Sequence, residues 1–285
     1  MTAAFQRYAL ALALILGAVA GDGRAARGGE VARAAEPTAR WREPVTGMEF
    51  VDLSPGEFTM GSPADEPGRE PGEIPHRVRL TRGFWLGATE VTQGQWTRVM
   101  GANPSHFADC GAECPVESVS RLDIERFLAR LAELAPGERF RLPSEAEWEF
   151  ACRAGGGATY ATGATLTAAA ANIDARDDPR AADPSGSAPA FRGRPTPAGS
   201  FPANGWGLFD LSGNVWEWTA DPLCPYPLGR EVTVDPRPAC GNPLAVIRGG
   251  SWYYGAASAR CALRSTHRPQ DSGFSLGFRL VREAR

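Results

Sequence analysis

Six cysteines, three histidines and a complete absence of lysine define the chemistry open to this 285-residue sequence. Cys110, Cys114, Cys152, Cys224, Cys240 and Cys261 could act as disulfides, as soft metal ligands or as thiolate nucleophiles. No Cys-x-x-Cys pair occurs and His76, His106 and His267 are scattered, which argues against zinc. Without lysine there is no Schiff-base or pyridoxal chemistry and no phosphate-binding loop ending in Gly-Lys-Ser/Thr. An even set of six allows 15 disulfide pairings. Local spacing favours Cys110 with Cys114 and Cys224 with Cys240, which leaves Cys152 with Cys261 as a long-range tie.

Disulfides require an oxidising compartment, and the N-terminus predicts one. Arg7 closes a short n-region, Tyr8 to Ala20 is apolar, and Ala18-Val19-Ala20 offers a small-x-small cleavage site. About 13 apolar residues fall short of the ~20 that span a bilayer, so residues 1–20 read as a signal peptide and no membrane span is expected after its cleavage. A flexible linker is expected over 21–43, rich in Ala, Gly, Arg and Glu, followed by one domain over 44–285. The net charge of -3 is unclustered, which sets nucleic acid aside as a main ligand.

The elements that must position these groups are legible in places. Met48 to Leu53 and Glu57 to Gly61 flank a Ser54-Pro55-Gly56 turn and predict a hairpin, and His76 to Leu80 with Phe84 to Gly87 predict a second strand pair. Thr92 with Gln95 forms a capping box before a helix through Met100. Ser120 caps a second helix whose apolar face is expected at Leu122, Phe127, Leu128, Leu131 and Leu134, and Ser144 with Glu147 caps a third that ends near Gly155. Beyond Gly155 little regular structure is signalled, apart from runs such as Ala245 to Ile247 and Gly277 to Val281. The stretch from Gly207 to Trp218 alternates Trp and Gly with single charges and reads as a packed, ordered loop.

Several motifs then fall in one order: Phe58-Thr59-Met60-Gly61-Ser62, Thr89-Glu90-Val91-Thr92-Gln93, Arg141-Leu142-Pro143-Ser144-Glu145-Ala146-Glu147-Trp148-Glu149-Phe150, Gly213-Asn214-Val215-Trp216-Glu217-Trp218, Arg248-Gly249-Gly250-Ser251-Trp252 and Gly277-Phe278-Arg279. By these the chain, from about Thr46 to Arg282, resembles the formylglycine-generating enzyme, or sulfatase-modifying factor, family. The resemblance implies a C-type-lectin-like α+β fold with short strands, few helices and many ordered loops. In that family two cysteines after Arg-Gly-Gly-Ser bind copper and oxidise a substrate cysteine to formylglycine. Here Trp252-Tyr253-Tyr254 follow Ser251, the segment is shorter, and no cysteine precedes Cys261, so no copper is expected.

Other implications of the resemblance are carried over residue by residue. Cys152 and Cys261 match a structural disulfide, whereas a second family disulfide is absent, Leu280 standing where its downstream cysteine would be. Asp210, Gly213, Val215 and Glu217 match one calcium site, and Asn172 and Ile173 match another, although no acidic residue follows these at the matching distance and Asp183 would need a different loop path. Trp252, Tyr253, Tyr254, Arg264, His267 and Phe274 fall in the segment that forms the binding groove of relatives. The expectation is therefore a monomeric, periplasmic or secreted, calcium-stabilised protein without copper-dependent cysteine-oxidase activity, binding a peptide, glycan or protein partner. Two alternatives remain open: a divergent oxidoreductase or maturation enzyme of the family, of the formylglycine or pyoverdine type, and a retroelement-diversified variable binding protein.

Overall fold

The structure is a computed structural model and describes residues 39–176 and 178–284. The expected signal peptide and most of the expected linker lie outside the described residues. The last linker residues belong to the fold, because Arg40–Arg42 forms strand β1 and pairs antiparallel with β2, Glu49–Leu53.

Neither N-terminal hairpin forms as expected. Strand β3, Gly56–Met60, pairs with β4, His76–Leu80, while β2 pairs with β5, Phe84–Gly87. Ser54-Pro55 is thus a corner between two sheets. The turn signal marks where the chain bends, but burial decides which strand it joins. In β2 the successive residues Phe50 and Val51, which point to opposite faces, are both buried, so β2 needs neighbours and cover that a lone hairpin lacks. In β4 Val78 and Leu80 are buried while Arg77 and Arg79 face solvent, the alternation of a half-buried strand.

Helix α1, Gln93–Met100, carries the predicted Thr92/Gln95 capping box and stops at Gly101 in the left-handed conformation. Helix α2, Arg121–Leu134, is capped by Ser120, with Asp123 reaching back. Its buried face is Ile124, Phe127 and Leu131, whereas Leu122 and Leu134, expected in the apolar stripe, are exposed. Leu280 packs in the same core as these three, so apolar contact stands where the family resemblance would place a crosslink. Strand β6, Phe140–Arg141, leads into α3, Glu145–Arg153, every residue of which is buried, including three glutamates and an arginine.

The segment read as loop from Gly207 to Trp218 is loop only in its first part, since Trp216–Pro222 is strand β7. Beyond it come β8, Thr233–Val234, β9, Ala245–Arg248, β10, Ser265–His267, β11, Leu276–Gly277, and β12, Val281–Glu283. Among the described residues these form sheets ordered β1-β2-β5-β12-β6, β10-β9-β7-β11 and β3-β4-β8. All three expected disulfides are present, Cys110–Cys114, Cys152–Cys261 and Cys224–Cys240. The second joins α3 to the loop that leads into β10.

Candidate ligand-binding face and cation site

Helix α3 is buried because its charges are paired across the fold. Glu149 accepts from Arg153 and from the fully buried Arg248, and Glu147 is held by Arg141 in a two-pronged pair at 2.7 Å. Glu145 receives both prongs of Arg264, at 2.6 and 2.8 Å, and the hydroxyl of Tyr226 at 3.0 Å. Its own amide donates to Asp221 on β7 at 2.7 Å. Burial, followed by the nearby Glu145 and Glu147 carboxylates, pushes Asp221 up to about 6. A carboxyl whose folded pKa is raised destabilises the fold in its charged form, so this group adds stability as pH falls through 6 and stops adding near 4, where the unfolded chain protonates too. Asp221→Asn, which keeps the acceptor for the Glu145 amide, is expected to raise stability at pH 7.5 by about 1–3 kcal/mol and to flatten the pH 4–7 slope in urea titrations. An unchanged slope would refute the assignment.

A second buried cluster lies where β7 meets the loop before it. Glu217 takes both prongs of Arg279, at 2.6 and 2.7 Å, and the indole N–H of Trp148 at 2.7 Å. Asp210, in a left-handed backbone conformation (φ 57°), accepts from the Gly199 amide at 2.6 Å. Glu90, between β5 and α1, is buried with both carboxylate oxygens unpartnered. Burial, then the charges of Asp210 and Glu217, push Glu90 well above the usual carboxylate range, and burial lifts Asp210 to about 6. Three carboxylates against one guanidinium leave two negative charges, which one divalent cation would neutralise. Among the described residues no three acidic, His or Cys side chains converge as a ready-made cluster, since Glu217 is turned toward Arg279. The buried, unpartnered oxygens of Glu90 beside Asp210 are hard donors of the kind a divalent cation takes.

At the other expected site no acidic side chain is brought to Asn172 by Asp183. The Asn172 side-chain amide donates to Arg194 O, Thr196 Oγ1 and Asn214 Oδ1, while its own Oδ1 is buried without a partner and Ile173 is apolar core. Asp183 is held in its own turn by the amides of Ser185, Ser187 and Ala188 and by two serine hydroxyls, which keep its carboxyl well below the usual range. Both oxygens are engaged there, so it supplies no ligand to Asn172.

The loop after β9 turns on Gly249 and Gly250, both left-handed, and at Gly250 (φ +72°) an added Cβ would lie 2.9 Å from the backbone of Ser258 and Ala259. This turn presents Tyr253 and Tyr254 at the surface and packs Trp252 inward. Trp252 is only 4% exposed, ringed by Phe107, Phe191, Tyr253 and Phe274, and its indole N–H lacks an acceptor. Tyr253, Tyr254 and Phe274 are 50%, 45% and 42% exposed and form a continuous ridge, with ring centres 5.6 Å apart in each adjoining pair. Arg264 and His267, expected on the same face, line together with Tyr254 a cavity of about 410 Å³ that adjoins this ridge. Arg264 is also unavailable to a ligand, being paired with Glu145 and stacked 3.9 Å over Tyr226.

Of the remaining histidines, His76 is buried against Tyr226, and His106 packs on Phe107 and Phe274. No cysteine among the described residues is free. Sequence reading missed Glu90 as a site residue. The signal available was a lone acidic side chain amid Leu86-Gly87-Ala88 and Val91, where burial is expected.

The profile of the sulfatase-modifying factor enzyme 1-like domain matches residues 34–284. A formylglycine-generating enzyme of Streptomyces coelicolor is 36% identical over 310 aligned residues, covering 89% of this chain and 95% of that protein. Among solved structures, PvdO from Pseudomonas aeruginosa superposes with a TM-score of 0.69 at 27% identity, over 88% of this chain and 100% of that one. Treponema denticola variable protein 1 reaches a TM-score of 0.72 at 24% identity, over 87% of this chain and 100% of that one, a likeness of fold alone. The architecture common to them is the loop-rich, C-type-lectin-like α+β fold expected from the motifs.

Proposed function

This chain belongs to the sulfatase-modifying factor enzyme 1-like family, and from that premise we propose that it is an exported, calcium-stabilised binding module which no longer oxidises cysteine with copper. The observation that carries this reading is the segment after Ser251. Trp252, Tyr253 and Tyr254 stand where the family resemblance places copper-binding thiols, and the next cysteine, Cys261, is bonded to Cys152. Aromatic rings and hydroxyls do not replace thiolates as Cu(I) ligands. What the segment offers instead is an exposed aromatic ridge, a surface suited to a peptide, glycan or protein partner. Calcium would be held by Glu90, Asp210 and Glu217 with the backbone of Gly213 and Val215, where it would supply charge balance and rigidity. Export to the periplasm or beyond is supported by three disulfides.

The decisive assay incubates the purified protein with copper, oxygen and cysteine-bearing peptides and follows them by mass spectrometry. Unchanged peptides are the expected result, and conversion of cysteine to formylglycine sinks the proposal. The similarity to the Streptomyces enzyme over 95% of its length favours a second reading, a divergent oxidoreductase or maturation enzyme on the same scaffold. Formylglycine formation in that assay would establish it.

A further inference from the structure

The cavity that Tyr254 lines is distinct in character from the ridge it adjoins. Its floor is one face of the β10-β9-β7 sheet, where Trp216, Ile247, Ser265 and His267 alternate along their strands onto the same side, with Leu223 and Leu263 beside them. Its outer wall is the loop from Glu70 to Glu73. That loop is fixed rather than loose, because the buried Arg260 donates to Glu66 at 2.8 Å, to the Gly68 carbonyl at 2.6 Å and to both oxygens of Glu73 at 2.7 and 2.8 Å. Glu70 is therefore presented from a clamped segment.

The charges around this cavity do not cancel. Arg264, the one guanidinium in the lining, is taken up by Glu145, and Arg260 is outnumbered by Glu66 and Glu73. His267 has an acid, Asp271, 3.8 Å from its ring. Glu70 has no side-chain partner among the described residues. A cavity of about 410 Å³ with Trp216, Ile247, Leu223, Leu263 and Tyr254 along one side, polar groups along the other and one uncompensated carboxylate at its rim disfavours anions and is complementary to a cation on a hydrophobic stem.

We propose that this cavity binds a monocationic ligand of the ammonium class, its charge beside Glu70 and its apolar stem against Trp216 and Ile247. The proposal rests on the binding-module reading and narrows its ligand class. The shared chemistry could be offered by a free amine or by a lysine side chain of a peptide.

The test titrates the purified full chain, by calorimetry and tryptophan fluorescence, with 2-phenylethylamine, 2-phenylethanol, phenylacetate and acetyl-Gly-Lys-Gly-amide. At least one of the two cations is expected to bind about tenfold more tightly than the alcohol, with phenylacetate weakest. In Glu70→Gln, a surface change that breaks no contact, that advantage is expected to vanish. Preference for the amine assigns a free ligand, and preference for the tripeptide assigns a peptide side chain. Binding of both cations no tighter than the alcohol, preference for phenylacetate, an advantage that survives Glu70→Gln, or no binding by either cation overturns the proposal. None of these outcomes touches the separate result on formylglycine, by which the binding-module reading itself stands or falls.

Discussion

Stripping calcium from the protein with EDTA is expected to lower its melting temperature by roughly 6–15 °C, and added calcium, but not magnesium, is expected to restore it. The magnitude follows from linkage: a ligand present at 100 to 1,000 times its dissociation constant stabilises the folded state by about 3–4 kcal/mol, and a domain of this size gains about 2–4 °C per kcal/mol. The reason lies in Glu90, whose buried carboxylate has no hydrogen-bond partner and faces Asp210 and Glu217. Magnesium is excluded by its demand for a compact octahedral shell, which backbone carbonyls and glutamates drawn from separate elements do not supply. Glu90→Gln removes the charge but keeps the shape. It is expected to stabilise the calcium-free protein by on the order of 2 kcal/mol and to abolish the calcium response. An EDTA-treated protein with an unaltered melting curve, in wild type and variant alike, would remove calcium from the account.

Arg279 is the second residue on which a large effect is expected. Its guanidinium is fully buried and reaches Glu217 with two prongs, the Gly87 carbonyl at 3.0 Å and the Phe209 carbonyl at 2.9 Å. It therefore ties β5, the loop before β7 and β7 itself to the segment entering β12. Arg279→Met leaves Glu217 charged in the core beside Glu90 and Asp210, a loss of about 3–5 kcal/mol out of the 5–15 kcal/mol that stabilises a typical domain. In EDTA, where calcium does not contribute, the double variant Arg279→Met/Glu217→Met is expected to recover about half of that loss, because no unpaired charge remains. Urea titration of the four proteins measures the coupling. A strictly additive double variant would show that the pair contributes nothing beyond its separate side chains.

The sequence disclosed what local chemistry controls. The boxes Thr92/Gln95 and Ser144/Glu147 were readable because a helix start is settled within four residues, and the three disulfides followed from spacing and family motifs. Strand partners were not readable in the same way. The turn at Ser54-Pro55 looks like a hairpin until β5 and β12 are known to offer β2 a buried place in the larger sheet. Site composition misled at Arg264, since an arginine in a recognition segment cannot be seen from sequence to be committed to Glu145. It stayed silent at Glu90, whose meaning depends on two carboxylates far along the chain. Trp252 shares the groove segment with Tyr253 and Tyr254 but is buried among aromatic rings, while those two neighbours form the exposed ridge, a difference that side-chain type alone does not reveal.

The place of β12 bears on how the molecule is made. In the five-stranded sheet it sits between β5 and β6, both of which precede it by many residues. A ribosome working from N- to C-terminus delivers those two strands with an open slot between them, and only Val281–Glu283 can close it. Contacts this distant in sequence form slowly, and the core around Phe278 and Leu280 waits with them. The growing chain therefore passes through synthesis without a completed sheet. Closing this sheet is left to β12.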